Sequence, residues 1–126
     1  MVTNSDRISQ LLGKLKAESL DVFNLSVIDT EGKVIASTDT DPKRGEHLAL
    51  LFSDLVSNAF SVSGLTALGK VESVGLKLEE AWIQIFPVTT AHVYIVESKA
   101  QSNLGYPTSA WPHLAVPALQ AIFGCK

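Results

Sequence analysis

Residues Phe23–Thr38 read FNLSVIDTEGKVIAST, and this stretch decides how the rest of the chain is parsed. Apolar residues alternate through its first half. Phe23, Leu25 and Val27 face one way and Asn24, Ser26 and Ile28 the other, the period-two pattern of a strand. Asp29-Thr30-Glu31-Gly32 supplies a turn in which Gly32 is free to take the positive φ that such turns need. Val34-Ile35-Ala36-Ser37-Thr38 returns as a second strand. The pattern predicts a hairpin, followed by the loop DTDPKRG and a long apolar helix.

Upstream, Thr3, Asn4 or Ser5 can cap a first helix, because their side-chain oxygens accept from unpaired N–H groups. Ile8, Leu11, Leu12 and Leu15 fall at i, i+3, i+4 and i+7, one stripe for packing, with Gly13 weakening the helix. Downstream, the long helix is expected to start near Pro42–Glu46 with Asp39 or Asp41 as cap. It should end near Ser63, before Gly64 or Gly69. On a wheel, Leu48, Ala49, Leu51, Phe52, Leu55, Val56, Ala59, Phe60 and Val62 fill about half the circumference. The other arc carries Glu46, His47, Ser53, Asp54, Ser57, Asn58 and Ser61, with Leu50 in its middle. That arc has no lysine or arginine, and its small side chains permit close approach by another surface.

Three more strands are predicted. The first, Val71–Leu78, alternates Val74, Leu76 and Leu78 with Ser73, Gly75 and Lys77, and reads as the most edge-like. Glu79-Glu80 turn into Trp82–Phe86, which Pro87 ends or bulges. Thr89-Thr90-Ala91 turn into His92–Val96. After Asn103-Leu104-Gly105, Pro107, Pro112 and Pro117 interrupt a helical pattern around Trp111, Leu114, Leu119 and Phe123, so a short or broken last helix is expected. The order α-ββ-α-βββ-α, with strands joined by short turns, implies an antiparallel sheet between helices, an α+β sandwich. The 126 residues suit one domain.

Bulk properties narrow the function classes. Hydrophobic residues make up 46% and charged residues 18%, so a folded chain is expected, with some apolar or weakly polar surface reserved for a partner. The net charge of −3 and two arginines, Arg7 and Arg44, give no basic face for nucleic acid. The lone Cys125 cannot form an internal disulfide and sits wrongly for prenylation, in keeping with a cytoplasmic setting. No apolar run reaches about 18 residues, so neither a signal peptide nor a membrane span is expected.

The residues offer little for catalysis. His47, His92 and His113 are dispersed and lack a second ligand at metal spacing, so no metal site is expected. His47, Asp54 and Glu46 can share a helix face, but an ordinary solvated face accounts for them. There is no G-x-S-x-G nucleophile pattern and no P-loop lysine motif, so neither hydrolysis nor a cofactor is indicated. Lys43-Arg44 at a helix start can meet an anion or simply carry loop charge. Trp82 is expected to cover the sheet, and Trp111 to be the better candidate for an exposed anchor.

LSVIDTEGKVIAST, the Leu/Ala/Ser-rich helix, VGLKLEEAWIQIFPVTTAHVYIVESK and the following SNLG together resemble a Roadblock/LC7 domain over about residues 5–105. The resemblance implies a profilin-like sandwich with five antiparallel strands and one long helix on one face. It further implies a homodimer in which third strands pair and long helices pack, and a role binding or activating a small Ras-like GTPase without chemistry of its own. Carried onto this chain, the dimer edge falls on Val71, Ser73, Val74, Gly75, Leu76 and Leu78. The long-helix interface falls on Glu46, His47, Leu50, Ser53, Asp54, Ser57, Asn58 and Ser61. Neither arginine matches a finger motif, and the proline-rich residues 106–126 depart from the family's regular last helix.

Two other readings remain at this level. PAS- and GAF-like sandwiches hold small molecules between sheet and helix, which needs a polar-lined cavity. The inward positions here, such as Phe23, Leu25, Phe52, Phe86 and Val93, are all apolar. A hydrolase would need a pocket joining His47 to an exposed serine.

Overall fold

The structure is a computed structural model that describes residues 3–19, 21–99 and 112–124, with the backbone alone for 112–114. The expectations placed on Asn103, Leu104, Gly105, Pro107, Trp111, Cys125 and the side chains of His113 and Leu114 fall outside the described residues. The elements are α1 (Asn4–Ala17), β1 (Val22–Asp29), β2 (Val34–Ser37), α2 (Pro42–Thr66), β3 (Val74–Lys77), β4 (Ala81–Pro87), β5 (His92–Lys99) and α3 (Pro112–Ile122). All strands pair antiparallel in one sheet of order β2-β1-β5-β4-β3. This is the predicted α+β sandwich.

Local chemistry sets each start. Thr3 caps α1 with a full capping box: its hydroxyl accepts from the Asp6 N–H, and the Asp6 carboxylate accepts from the Thr3 N–H. Ile8, Leu12 and Leu15 then bury the predicted stripe, each worth roughly 2 kcal/mol as transferred apolar surface. They join Leu25, Val27, Tyr94, Val96, Ala115 and Leu119 in a core between the sheet and the α1/α3 pair. On the opposite face Ala49, Phe52 and Val56 of α2 meet Ile28, Ile83, Ile85, Val93 and Ile95.

Several expectations need correction. Phe23 does not face inward. Val22 pairs with Ser98 and Asn24 with Glu97, so Phe23 is the extra residue of a β-bulge and is 44% exposed. The third strand is Val74–Lys77, not Val71–Leu78, so Val71 and Ser73 precede it and Leu78 follows it. The last helix is not broken at its prolines, because Pro117 lies inside a continuous α3. There the burial of Ala115 and Leu119 offsets the cost, about 3 kcal/mol, of an interior proline. The long helix runs past Ser63 and Gly64 to Thr66, so of the two expected stops it takes the one before Gly69, with Ala67 in the left-handed region, φ 55°.

The length of α2 also changes its packing. Its 25 residues run about 37 Å at helical rise, whereas five strands span roughly 20 Å. The helix contacts β2, β1 and β3, and Val56 is its last buried residue, so its C-terminal turns extend beyond the buried contact with the sheet. Phe60 and Val62, assigned by periodicity to the buried arc, are therefore exposed, and Leu51, flanked by the buried Ala49 and Phe52, is exposed because the buried stripe is narrower than the wheel predicts. By length and composition α2 could span a membrane, with an 18-residue window of mean hydropathy 1.4, contrary to the expectation of no such segment. Ala49, Phe52 and Val56, however, cover the sheet, and withdrawing them into lipid would strip one core face.

Candidate functional site

The two edges of the sheet differ. At β2 the Ser5 hydroxyl of α1 donates to the Ile35 carbonyl at 2.9 Å, so α1 already occupies a backbone acceptor of that edge. At β3 no further strand follows. The Leu78 N–H donates to the Ala81 carbonyl at 2.8 Å, and antiparallel pairing alternates bonded and non-bonded residues. Leu76 and Val74 therefore bond to β4, while Ser73, Gly75 and Lys77 turn their backbone groups to the open side. Half of the predicted edge set, Val74, Gly75 and Leu76, lies in the strand itself. Gly75 has no positive φ, and a Cβ there would meet nothing within 4 Å, so nothing in its own chain demands a glycine.

Beside this edge stands the overhang of α2. Val62 is 59% exposed, and Leu65 and Leu68 are close to fully exposed. Ala59, Val62, Ser63, Leu68 and the segment Gly69–Ser73 line an open trough of about 760 Å3. Asp54 is the only charged side chain between Glu46 and Lys70. The predicted interface arc is exposed at Glu46, His47, Leu50, Asp54, Ser57, Asn58 and Ser61, with Ser53 half-buried. Its hydroxyls fold back on the helix: Ser53 donates to the Leu50 carbonyl at 3.3 Å and Ser61 to the Ser57 carbonyl at 3.2 Å. Hydroxyls satisfied in this way cost little when another surface removes their water. Sequence reasoning missed Leu65 and Leu68, although a helix much longer than its sheet is wide signals an unsupported apolar end.

The start of α2 is committed elsewhere. The Asp41 carboxylate accepts from the Lys43 and Arg44 N–H groups at 3.1 and 3.2 Å, leaving that terminus capped. The Arg44 guanidinium bonds both Asp39 and Glu97, which raises its pKa further, Glu97 first and Asp39 second. Asp39 is held below the usual carboxylate range by the Asp41 N–H and by Arg44, against the opposing effect of burial. Arg44 thus clamps α2 to the sheet, and the anion-binding alternative for it is not what the structure shows.

Other chemistry finds little footing. The space between the first half of α2 and the sheet, lined by Ile28, Val34, Phe52 and Ile95 among others, amounts to about 10 Å3, less than a small molecule needs. His47 and Asp54 are both exposed on the helix. Among the described residues no group of three His, Cys, Asp or Glu converges on a metal position.

Neither a protein-family model nor a curated protein sequence matches this chain. Solved structures are similar in fold. A Roadblock/LC7 domain from Streptomyces avermitilis aligns with a TM-score of 0.81 at 17% identity, covering 92% of this chain and 97% of that one. The gliding protein MglB from Thermus thermophilus aligns at 0.78 and 16% identity, over 94% and 90%. MglB from Myxococcus xanthus aligns at 0.74 and 15% identity, over 93% and 91%. The architecture of this chain is that of the Roadblock/LC7 domains, and the resemblance drawn from the sequence is a resemblance of fold.

Proposed function

We propose that this chain is a non-enzymatic, cytoplasmic homodimeric scaffold that binds a small Ras-like GTPase through α2. The observation that carries the reading is the pairing of one uncovered sheet edge, β3, with an apolar helix end beside that same edge. A second copy adding its own β3 satisfies the open backbone groups and brings another apolar helix end alongside. The interface comprises Val74, Gly75 and Leu76 with the flanking Val71, Ser73 and Leu78, together with Phe60, Val62, Leu65 and Leu68. The GTPase-facing arc comprises Glu46, His47, Leu50, Ser53, Asp54, Ser57, Asn58 and Ser61. The likeness to Roadblock/LC7 domains and to the gliding protein MglB supports a regulatory role, and acceleration of GTP hydrolysis is its stronger form.

Light scattering tests the dimer: a mass twice the 13.5 kDa of the chain is expected at micromolar concentration, and a monomer would overturn it. Titrating a GTP-loaded small GTPase from the same genome, with hydrolysis followed in the same samples, tests the partner. Leu50→Arg should weaken that binding without altering the circular dichroism spectrum.

A further inference from the structure

The open backbone groups of the β3 edge belong to Ser73, Gly75 and Lys77, while Val74 and Leu76 spend theirs on β4. An outward residue can bond only to another outward residue. A two-fold pair of antiparallel β3 strands can therefore centre on Gly75, on Val74 or on Leu76, and larger shifts lose more contacts. Centred on Gly75, the pairing sets Ser73 opposite the partner's Lys77 and Gly75 opposite the partner's Gly75, so all three outward residues are used. Centred on Val74, Lys77 falls opposite the partner's Val71, outside the strand, and Leu76 opposite the partner's Glu72. Centred on Leu76, Ser73 falls opposite the partner's Glu79, in the bend after β3.

The side chains favour the same centre. Val74 and Leu76 pack against the core beneath α2. About Gly75, Val74 lies opposite the partner's Leu76 and Leu76 opposite the partner's Val74, so this face stays apolar across the junction. No like charges meet anywhere along the paired strands. A residue on a two-fold axis meets its own copy, and any side chain there is set against an identical one. Gly75 carries none. Its φ is not positive and a Cβ would meet nothing in its own chain, so neither backbone nor packing within the chain calls for the glycine. From the open backbone groups, the match of Val74 with Leu76 and this glycine we infer that two copies pair in a single register, with Gly75 on the two-fold axis. The inference rests on the proposed dimer and sharpens its partner to a second copy of this chain, because the match is with its own residues.

Disulfide trapping reads the register. In a Cys125→Ser background, which removes the native thiol, Gly75→Cys, Val74→Cys and Leu76→Cys are oxidised and resolved on non-reducing gels. Residues directly opposite have Cα atoms about 4.5–5.5 Å apart, within disulfide reach, whereas diagonal neighbours at about 7–8 Å lie beyond it. Gly75→Cys should link to its own copy at least about tenfold faster than Val74→Cys or Leu76→Cys alone. Val74→Cys and Leu76→Cys, mixed while reduced and then oxidised, should form the covalent dimer that neither forms by itself. Light scattering of wild type and of each reduced variant separates the two ideas. In a dimeric protein, faster self-linking by Val74→Cys or Leu76→Cys would move the axis and overturn the register while the dimer stands. A dimer in which no variant links, alone or mixed, would overturn the register and place the second copy away from β3. A monomeric wild type would overturn the dimer and the register with it.

Discussion

Arg44, on the first turn of α2, holds Glu97, near the end of β5, at 2.7 Å across 53 residues of sequence. The Glu97 side chain is only 8% exposed, whereas that of Arg44 is 45% exposed. The buried partner makes the pair matter: removing the cation leaves a carboxylate stranded against the sheet, and removing the carboxylate leaves a cation that water can still reach.

Arg44→Met should therefore destabilise more than Glu97→Gln. Breaking a fully buried pair costs about 3–5 kcal/mol. The exposure of Arg44 reduces the expectation to about 2 kcal/mol, with Glu97→Gln nearer 1 kcal/mol. Urea unfolding at neutral pH measures both. The double variant Arg44→Met/Glu97→Leu should lose less than the sum of the single variants, and strict additivity would show that the pair is not coupled.

The second carboxylate on Arg44 gives a pH prediction. Asp39 is held below its ordinary value first by the Asp41 N–H and then by Arg44. A carboxylate with a folded pKa below its unfolded value contributes stability that is fully present above the unfolded value, about 3.9. That contribution is lost as pH falls through the folded value. Wild-type thermal stability should therefore drop more steeply below about pH 4 than that of Asp39→Asn. Parallel curves for the two proteins across that window would remove Asp39 from the acid response.

The hairpin turn joins α2 at a single glycine. Gly32 has φ 90°, and a Cβ built there would lie 2.7 Å from Leu50 Cδ2 and 3.2 Å from Leu50 Cα. The Asp29 carboxylate fixes the same turn by accepting from the Glu31 and Lys33 N–H groups, both at 2.9 Å. Gly32→Ala should cost about 2 kcal/mol, from the left-handed backbone and the crowding against Leu50 together. Denaturant melts of Gly32→Ala and Glu31→Ala, which keeps Gly32, make the comparison, and equal stability would sink the contact argument.

Residues differ in how much of this the chain declares in advance. The positive φ of Gly32 and the cap at Asp41 are local facts, set by neighbours in sequence, and both are legible. So is the edge character of β3, because alternation around Gly75 and Lys77 records a half-exposed strand. Phe23 was not legible, since a bulge depends on how β5 registers against β1, and alternation by itself cannot register one. The exposed turn of α2 was not legible either. Periodicity gives the angle of Phe60 and Val62 around the helix axis, while their burial depends on whether sheet still lies beneath them. Pro117 misled for a third reason: its cost is local, and the core that offsets it at Ala115 and Leu119 is assembled from distant segments.

The open edge allows the proposed dimer to be separated from the fold by proline. The Gly75 N–H points away from β4, as the alternation from the Leu78–Ala81 bond requires. A Cβ at Gly75 meets no neighbour, and its φ is not positive. Proline is tolerated on an edge strand where its missing N–H faced outward, and it blocks the addition of another strand. Gly75→Pro should therefore keep the circular dichroism spectrum while shifting the solution mass from twice 13.5 kDa to 13.5 kDa. Leu76→Pro removes a donor that β4 uses and should instead lower the melting temperature. Leu65→Glu, at a side chain 90% exposed, should likewise yield a folded monomer, because a charge on the overhanging helix end must be desolvated when two ends meet. If Gly75→Pro and Leu65→Glu both remain dimeric, the second copy binds elsewhere and the open edge has another occupant.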